Sequence, residues 1–188
     1  MAYFIDEKWQ TEYNKRIMSK ENFENMLKKH EALESNIDWE KKKQEWLDFV
    51  QQFYDKIEQW LKPYVKQKRL RYDYHDISLT EGHIGIYTVK AMNINFAGQQ
   101  VGFEPIGTSL IGSKGRIDME GARGIVQFIL VDRDSKGVNT STFIEKEPKN
   151  QKQPDWVWKI LLKERRQIIY DEFNEGNFFA ALMEIVND

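Results

Sequence analysis

The chain has 188 residues, with 28 basic and 30 acidic side chains, a formal net charge of -2 and no cysteine. This length is sufficient for a domain with its own hydrophobic core, and the near-zero net charge provides no overall field that would attract nucleic acid. The lack of cysteine excludes disulfides, thiolate metal sites and cysteine nucleophiles, and no apolar run approaches the roughly 20 residues that span a bilayer, so we expect a cytoplasmic protein without a membrane partner.

Glycine divides the chain into two parts. All eleven glycines follow residue 81. Because glycine weakens helices and permits turns, this distribution favours helix upstream and short strands downstream. The expected domains are a helical hairpin subdomain over residues 1–69 and, over residues 70–188, a mostly antiparallel β-sheet domain with a short C-terminal helix. We expect them to fold as one cooperative unit of the α+β class.

The first part contains the clearest helix, from about Asp38 to Lys68. Its apolar residues recur every three or four positions and form one seam: Trp46, Val50, Phe53, Ile57, Trp60 and Tyr64. An earlier apolar pattern around Phe23, Met26 and Leu27 predicts a second helix packed antiparallel on the first. A helical hairpin buries only part of such faces, and aromatic residues dominate interface hot spots, so we expect a protein partner or a homodimer. The predicted partner-binding residues are Trp46, Phe53, Trp60 and Tyr64.

The end of this helix and the residues after it, "KPYVKQKRLRYDYHD", are rich in cations and tyrosines. Cations bind phosphates and tyrosines stack on unpaired bases, which is the combination that single-strand binders use. The candidate nucleic-acid-binding residues are Lys62, Lys66, Lys68, Arg69, Arg71, Tyr72 and Tyr74. A plainer interpretation is that the cations end a helix, where its dipole favours them, and the tyrosines begin a strand. We prefer this interpretation because the whole chain is nearly neutral.

After Arg71 the apolar period changes to two. In "HIGIYTVKAMNINF" the even positions, such as Ile86 and Met92, form the predicted apolar face, and Lys90 indicates that one end is exposed. "AGQQ" predicts a hairpin turn, and "IVQFILV", which is apolar on both alternations, predicts a central strand covered on both faces. "WVWKILL" is a further strand candidate whose length also allows a short helix, and Asn177 is the predicted cap of a C-terminal helix.

The stretch "EPIGTSLIGSKGRIDMEGARG", residues 104–124, contains five of the glycines. Its segment "GTSLIGSK" resembles a P-loop, but Ser113 precedes Lys114 where that motif needs the reverse order, and no helix is predicted after it. The spacing of the glycines instead fits turns and bulges in successive short strands. We therefore predict no cofactor.

Three residues are weak catalytic candidates. Asp118, followed by Asp134 and Lys136, resembles the Asp and Asp/Glu-x-Lys pattern of restriction-enzyme-like nucleases, whose carboxylates hold magnesium. Asp134 and Lys136 lie in "DRDSKG", however, which is ordinary turn chemistry. His75 and His83 have acidic neighbours but match no zinc or iron spacing, so no metal site is predicted.

The favoured hypothesis is a non-enzymatic protein–protein interaction module, an accessory or immunity-like subunit of a prokaryotic complex. It rests on the seam and on the aromatic content of 11 Phe, 8 Tyr and 6 Trp residues. A nucleic-acid-binding protein that uses residues 62–74 is the alternative. A metal-dependent hydrolase or nuclease is the third hypothesis.

Overall fold

The computed structural model describes residues 19–28, 38–108, 113–135, 154–164 and 167–187. These ranges contain three helices and a seven-stranded antiparallel sheet, which confirms the α+β class. Helix α1 covers residues 19–28. The remaining elements are α2 (Trp39–Lys66), β1 (Leu70–Glu81), β2 (Gly85–Phe96), β3 (Gln99–Gly107), β4 (Gly115–Gly121), β5 (Gly124–Asp132), β6 (Trp156–Glu164), β7 (Gln167–Glu172) and α3 (Glu175–Glu184).

The chain forms two compact units, Met1–Trp39 and Glu40–Asp188. The residues of α1 in the first unit are exposed. The predicted helical hairpin is not clearly shown, because residues 29–37 lie outside the described ranges. Within those ranges, no helix is both long and apolar enough to cross a membrane. The cytoplasmic location stays a prediction.

The second unit is a sheet whose strands follow chain order, each hydrogen-bonded to the next. Strands that are adjacent in the chain pair antiparallel and need only short turns between them, as at Gly121 and Gly124. The amphipathic α2 packs its apolar side into the core of this unit. The buried residues of α2 are Trp46, Val50, Phe53, Tyr54, Ile57 and Leu61. The predicted seam is therefore mainly the helix's own contact with the sheet.

Phe53 lies at the centre of the aromatic core. Its ring centroid is 4.8 Å from that of Phe173, 5.0 Å from those of Phe128 and Trp158, and 6.2 Å from that of Phe103. These partners come from strands β3, β5 and β6 and from the residue after β7. One side chain of α2 thus contacts residues from three strands and from the end of a fourth.

Strands β2 and β3 separate after only five residue pairs, the last of which is Met92 opposite Phe103. In an antiparallel ladder, alternate residues direct their backbone groups to the same neighbour. The next residue of β3 that would donate to β2 is Pro105, which has no N–H. The proline therefore ends the pairing, and β1 and β2 continue together as a hairpin beyond the edge of β3.

The hydroxyl of Tyr54 bridges the point where the strands separate. It donates to the carbonyl oxygen of Lys90 at 3.0 Å, and the carbonyl oxygen of Phe103 lies 3.4 Å away. Burial raises the pKa of Tyr54, so its hydroxyl stays protonated as a donor. A side chain from α2 thus replaces the next backbone hydrogen bond between β2 and β3.

The hairpin beyond this point reverses the face that it buries. Met92 and Ile94 are buried as the alternation predicts, but Tyr87 and Val89 are buried in the other half of the strand. Ile86 is 77% exposed. The even positions are therefore the buried ones only in the second half of β2, because in the first half Tyr87 and Val89 belong to the core instead.

Two further strand predictions are confirmed, and one cap prediction is wrong. Strand β5 is covered on both faces, since the neighbours Ile129 and Leu130 are both buried, and "WVWKILL" forms β6. Helix α3 begins after Asn174, whose side chain accepts a hydrogen bond from the Asn177 backbone N–H at 2.9 Å. Asn177 instead donates from Nδ2 to the Glu172 carbonyl oxygen at 2.9 Å. Both asparagines suit a cap, and the backbone conformation selects the earlier one.

Candidate functional site

Two of the four predicted partner-binding residues lie in the core. Trp46 and Phe53 are fully buried. Trp60 is partly buried, with its ring centroid 5.0 Å from that of Phe173. Tyr64, in the last turn of α2, is 37% exposed. A partner would reach the first two residues only if α2 left the sheet, so an interface on this helix would depend on Tyr64 and the edge of Trp60.

The two described catalytic candidates do not converge. Asp118 lies opposite Gln127 in the β4–β5 ladder. From Gln127, β5 continues five residues to Asp132 before the turn that holds Asp134, which is about 17 Å at about 3.3 Å per residue. Lys136 lies outside the described residues. The described ranges hold no group of three acidic or histidine side chains that could bind a metal ion.

Asp118 has an ion-pair partner, and the backbone of Asp134 takes part in a turn. Arg116 Nε lies 2.9 Å from Asp118 Oδ1, although their orientation falls outside hydrogen-bond geometry. Burial raises the pKa of Asp118, and Arg116 opposes that shift. In the turn after β5, the backbone N–H of Asp134 donates to Asp132 Oδ1 at 3.1 Å, and that of Ser135 donates to the Asp132 carbonyl oxygen at 2.9 Å. The first part of "DRDSKG" is thus the turn that its composition predicts.

The basic segment divides between two grooves. Lys62 and Lys66 line a groove of about 510 Å³ together with Tyr72 and two acidic residues, Asp55 and Glu58. The cations that follow the helix line a second, larger groove of about 720 Å³. Only the second groove is lined by cations without a carboxylate among its lining residues.

Tyr72 and Tyr74 face α2. The Tyr74 hydroxyl donates to Glu58 Oε1 at 2.8 Å, and its ring centroid lies 5.3 Å from that of Tyr54. Burial, with the nearby Glu58 carboxylate, raises the pKa of Tyr72 and Tyr74. These contacts hold β1 to the helix. They also place a negative charge where a nucleic acid would bring its phosphates, so Tyr74 is poorly placed to stack on a base.

The larger groove, which we call the cationic groove, extends from the end of α2 to the turn between β2 and β3. Its polar and aromatic lining consists of Lys68, Arg69, Arg71, Asn95, Phe96, Gln99 and Gln100. Arg71, Asn95 and Gln100 lie opposite one another across three neighbouring strands. The groove therefore presents a row of one guanidinium and two amide side chains, with further cations at its helix end.

The cations of the basic segment have no ion-pair partner within 4 Å among the described residues. They are Lys62, Lys66, Lys68, Arg69 and Arg71. By contrast, Lys90, Lys114 and Arg133 each have a carboxylate oxygen at 2.6 or 2.7 Å. Unpaired cations gathered at one end of the unit create a local positive potential, although the whole chain has a net charge of -2.

Both non-glycine residues with positive φ in the described ranges line the cationic groove: Lys68 at 58° and Ala97 at 47°. Lys68 occupies the position after α2 where glycine is usual, since the Arg69 N–H donates to the Tyr64 carbonyl oxygen at 3.0 Å. Ala97 precedes Gly98 in a two-residue hairpin turn, where Asn is preferred. Both conformations thus have local structural causes, the end of a helix and a tight hairpin turn.

Replacing Ala97 with asparagine is expected to raise the free energy of unfolding by about 0.5–1 kcal/mol, because asparagine tolerates positive φ better than alanine. The measurement is urea denaturation followed by circular dichroism. Ala122 is the matched control, since it is an exposed turn alanine and does not have positive φ. An equal gain from Ala122→Asn would contradict the explanation by backbone conformation.

Sequence interpretation missed one wall of the cationic groove. Asn95, Phe96 and Gln100 lie well after the basic segment in the chain. They reach it because Phe96 pairs with Leu70 at the start of β1. The hairpin signal in "AGQQ" marks this turn, but it does not indicate which part of the molecule the turn approaches.

Glu81, at the far end of β1, is one of the acidic neighbours of His75 and His83 in the sequence, and its burial was not predicted. Glu81 accepts a hydrogen bond from the Thr108 backbone N–H at 3.0 Å, and the hydroxyls of Thr108 and Tyr87 also donate to it. A Cβ on Gly107 would lie 2.9 Å from Glu81 Oε1, so glycine leaves room for this carboxylate. Because these contacts join the end of the β1–β2 hairpin to the end of β3, we assign Glu81 a structural role.

The cationic groove thus combines unpaired cations, amide side chains and two residues with positive φ. Its lining comes from the end of α2 and from three strands of one unit. Comparison of the chain with models of known protein families, with characterised proteins and with solved structures finds no match.

Proposed function

We propose that the protein binds nucleic acid through the cationic groove. The observation that carries this proposal is the presence of Lys68, Arg69 and Arg71 at an open groove without carboxylate partners among the described residues. Lysine and arginine neutralise phosphates, and amide side chains such as those of Asn95 and Gln100 donate to phosphates or base edges. A groove with this lining differs from the mostly apolar pocket that binds small uncharged ligands.

We rank this function above binding of a protein by the helix seam, because Trp46 and Phe53 belong to the core. The near-neutral net charge does not oppose it. At physiological salt the field of a charge is screened within about 8 Å. The cations at the groove, rather than the total for the chain, therefore govern the attraction of a phosphate backbone.

The double variant Lys68→Ala, Arg69→Ala is expected to bind a fluorescein-labelled oligo(dT) strand about 10-fold more weakly than the wild type, because each lost phosphate contact removes about 0.5–1.5 kcal/mol. The measurement is fluorescence anisotropy over a series of salt concentrations. Each lost contact should also lower the slope of log Kd against log salt by about 0.7. The fold of the variant is checked by circular dichroism and thermal denaturation.

The matched control is Lys41→Ala, Lys42→Ala. It removes the same charge from the start of α2, about 40 Å from Lys68 at about 1.5 Å per residue. We expect near-wild-type affinity. Equal weakening in both double variants would indicate an effect of net charge alone. Failure of the wild type to bind any strand or duplex at low salt would overturn the proposal.

The second candidate is a protein–protein interaction module, in the accessory or immunity-like role that the sequence suggests. Its supporting observation is the apolar face of α1, where Phe23, Met26 and Leu27 are 56%, 58% and 42% exposed. Side chains at this spacing share one side of a helix and are typical of a helix that binds in a groove. The helical hairpin remains part of this proposal. A stoichiometric protein partner that resists nuclease and high salt would favour it.

A further inference from the structure

Tyr64 is an exposed aromatic residue in the last turn of α2, directly before the first residue that lines the cationic groove. The next residue, Val65, lines the groove, and the Tyr64 carbonyl oxygen accepts a hydrogen bond from the Arg69 N–H at 3.0 Å. Lys68 follows four residues later, at the position that closes the helix. The ring is thus attached to the same helix end that supplies the first cations of the groove.

The Tyr64 ring is held in place from one side. Its centroid lies 5.7 Å from that of Phe179 on α3, with the two ring planes at 70°. Phe179 in turn packs against Phe178, which is fully buried. An aromatic ring that is already positioned loses little conformational freedom when a ligand packs against it.

Tyr64 also differs from the two other tyrosines of the basic segment. Tyr72 and Tyr74 face α2 and the Glu58 carboxylate, whereas Tyr64 contacts another aromatic ring. More than a third of its surface, 37%, is exposed. It is therefore the tyrosine of this segment that is best placed to meet a base.

We infer that the cationic groove selects single-stranded nucleic acid, with Lys68, Arg69 and Arg71 binding phosphates and the Tyr64 ring stacking on an adjacent base. The inference rests on the proposed nucleic-acid binding. Its physical basis is that the bases of a duplex are stacked on each other, whereas those of a single strand can turn outwards onto an aromatic ring. Cations would bind either form, so the ring supplies the distinction.

The test compares labelled oligo(dT) with a blunt DNA duplex of equal length, by fluorescence anisotropy on the full chain. The wild type is expected to bind the single strand more tightly. Tyr64→Ala should weaken single-strand binding by about 5- to 100-fold, the effect of removing one base–aromatic stack. Duplex affinity and the salt dependence should change little, because no phosphate contact is lost.

Two substitutions at the same position separate stacking from simple packing. Tyr64→Phe should keep the affinity of the wild type, since it retains the ring. Tyr64→Leu retains an apolar side chain but cannot stack in the same way, so it should resemble Tyr64→Ala. Thermal denaturation of each variant measures any loss of the contact with Phe179. Full single-strand affinity in Tyr64→Leu would overturn the stacking role.

The outcomes also distinguish this inference from the proposed function. Equal binding of strand and duplex, unchanged in Tyr64→Ala, would overturn the inference and leave nucleic-acid binding by the groove intact. Equal weakening of strand and duplex in Tyr64→Ala would likewise contradict single-strand selection. Absence of all binding by the wild type would overturn both.

Discussion

Replacement of Phe53 by alanine is expected to lower the free energy of unfolding by about 4 kcal/mol, within the range for deletion of a buried phenylalanine side chain. Phe53 is fully buried, and its ring contacts aromatic rings from several strands. Alanine would remove these contacts and leave a cavity. Rings on opposite sides of that cavity cannot all move inwards, because three belong to separate strands and the fourth directly follows β7.

The measurement is urea denaturation monitored by tryptophan fluorescence and circular dichroism. Phe53→Leu, which retains most of the apolar volume, should cost about 1.5 kcal/mol and keeps the comparison measurable if the alanine variant does not fold. Ile86→Ala is the control, because Ile86 is 77% exposed and should change stability by less than about 0.5 kcal/mol. Similar losses for Phe53→Ala and Ile86→Ala would contradict the central position of Phe53.

Gly115→Ala is expected to lower the free energy of unfolding by about 3 kcal/mol through overpacking. A Cβ at this position would lie 2.1 Å from Cζ3 and 2.6 Å from Cε3 of Trp46. Trp46 is fully buried, and its ring centroid is 6.0 Å from that of Trp158. The indole therefore has little room to move, and either α2 or β4 must shift to admit a single methyl group.

A double variant tests the steric cause directly. Trp46→Phe removes part of the ring that a Cβ would meet, so combining it with Gly115→Ala should cost less than the sum of the two single changes. Gly82→Ala is the matched control, since a Cβ there would meet nothing within 4 Å. Strict additivity of the Trp46 and Gly115 changes, measured by urea denaturation, would show that the loss does not come from this contact.

Some elements follow from local sequence pattern. The seam of α2, the both-sided apolar strand β5 and the hairpin turn after β2 were all predicted and are present. Each depends on spacing within a short segment, where helical or strand geometry places certain residues on the same side. The terminal strand β7 and the cap of α3 were not predicted correctly, since "QIIYDE" is short and two asparagines fit the cap.

The candidate site shows the same division. The basic residues could be named from the sequence, because cations close together in the chain after a helix are recognisable. Which of them line a groove that also contains carboxylates could not be predicted. Lys62 shares a groove with Asp55 and Glu58, whereas Arg71 faces Asn95. That difference depends on how the end of α2 lies on the sheet.

The apolar period, the turn residues and the distribution of glycine were therefore enough to predict an α+β protein with a long amphipathic helix and an antiparallel sheet. These signals depend on residues that are close to one another in the chain. The burial of Trp46 and Phe53, the reversal of the buried face in β2 and the wall opposite the basic segment all required the folded chain. These features arise from contacts between residues far apart in sequence, and a one-dimensional apolar pattern does not specify which surface each side chain will meet.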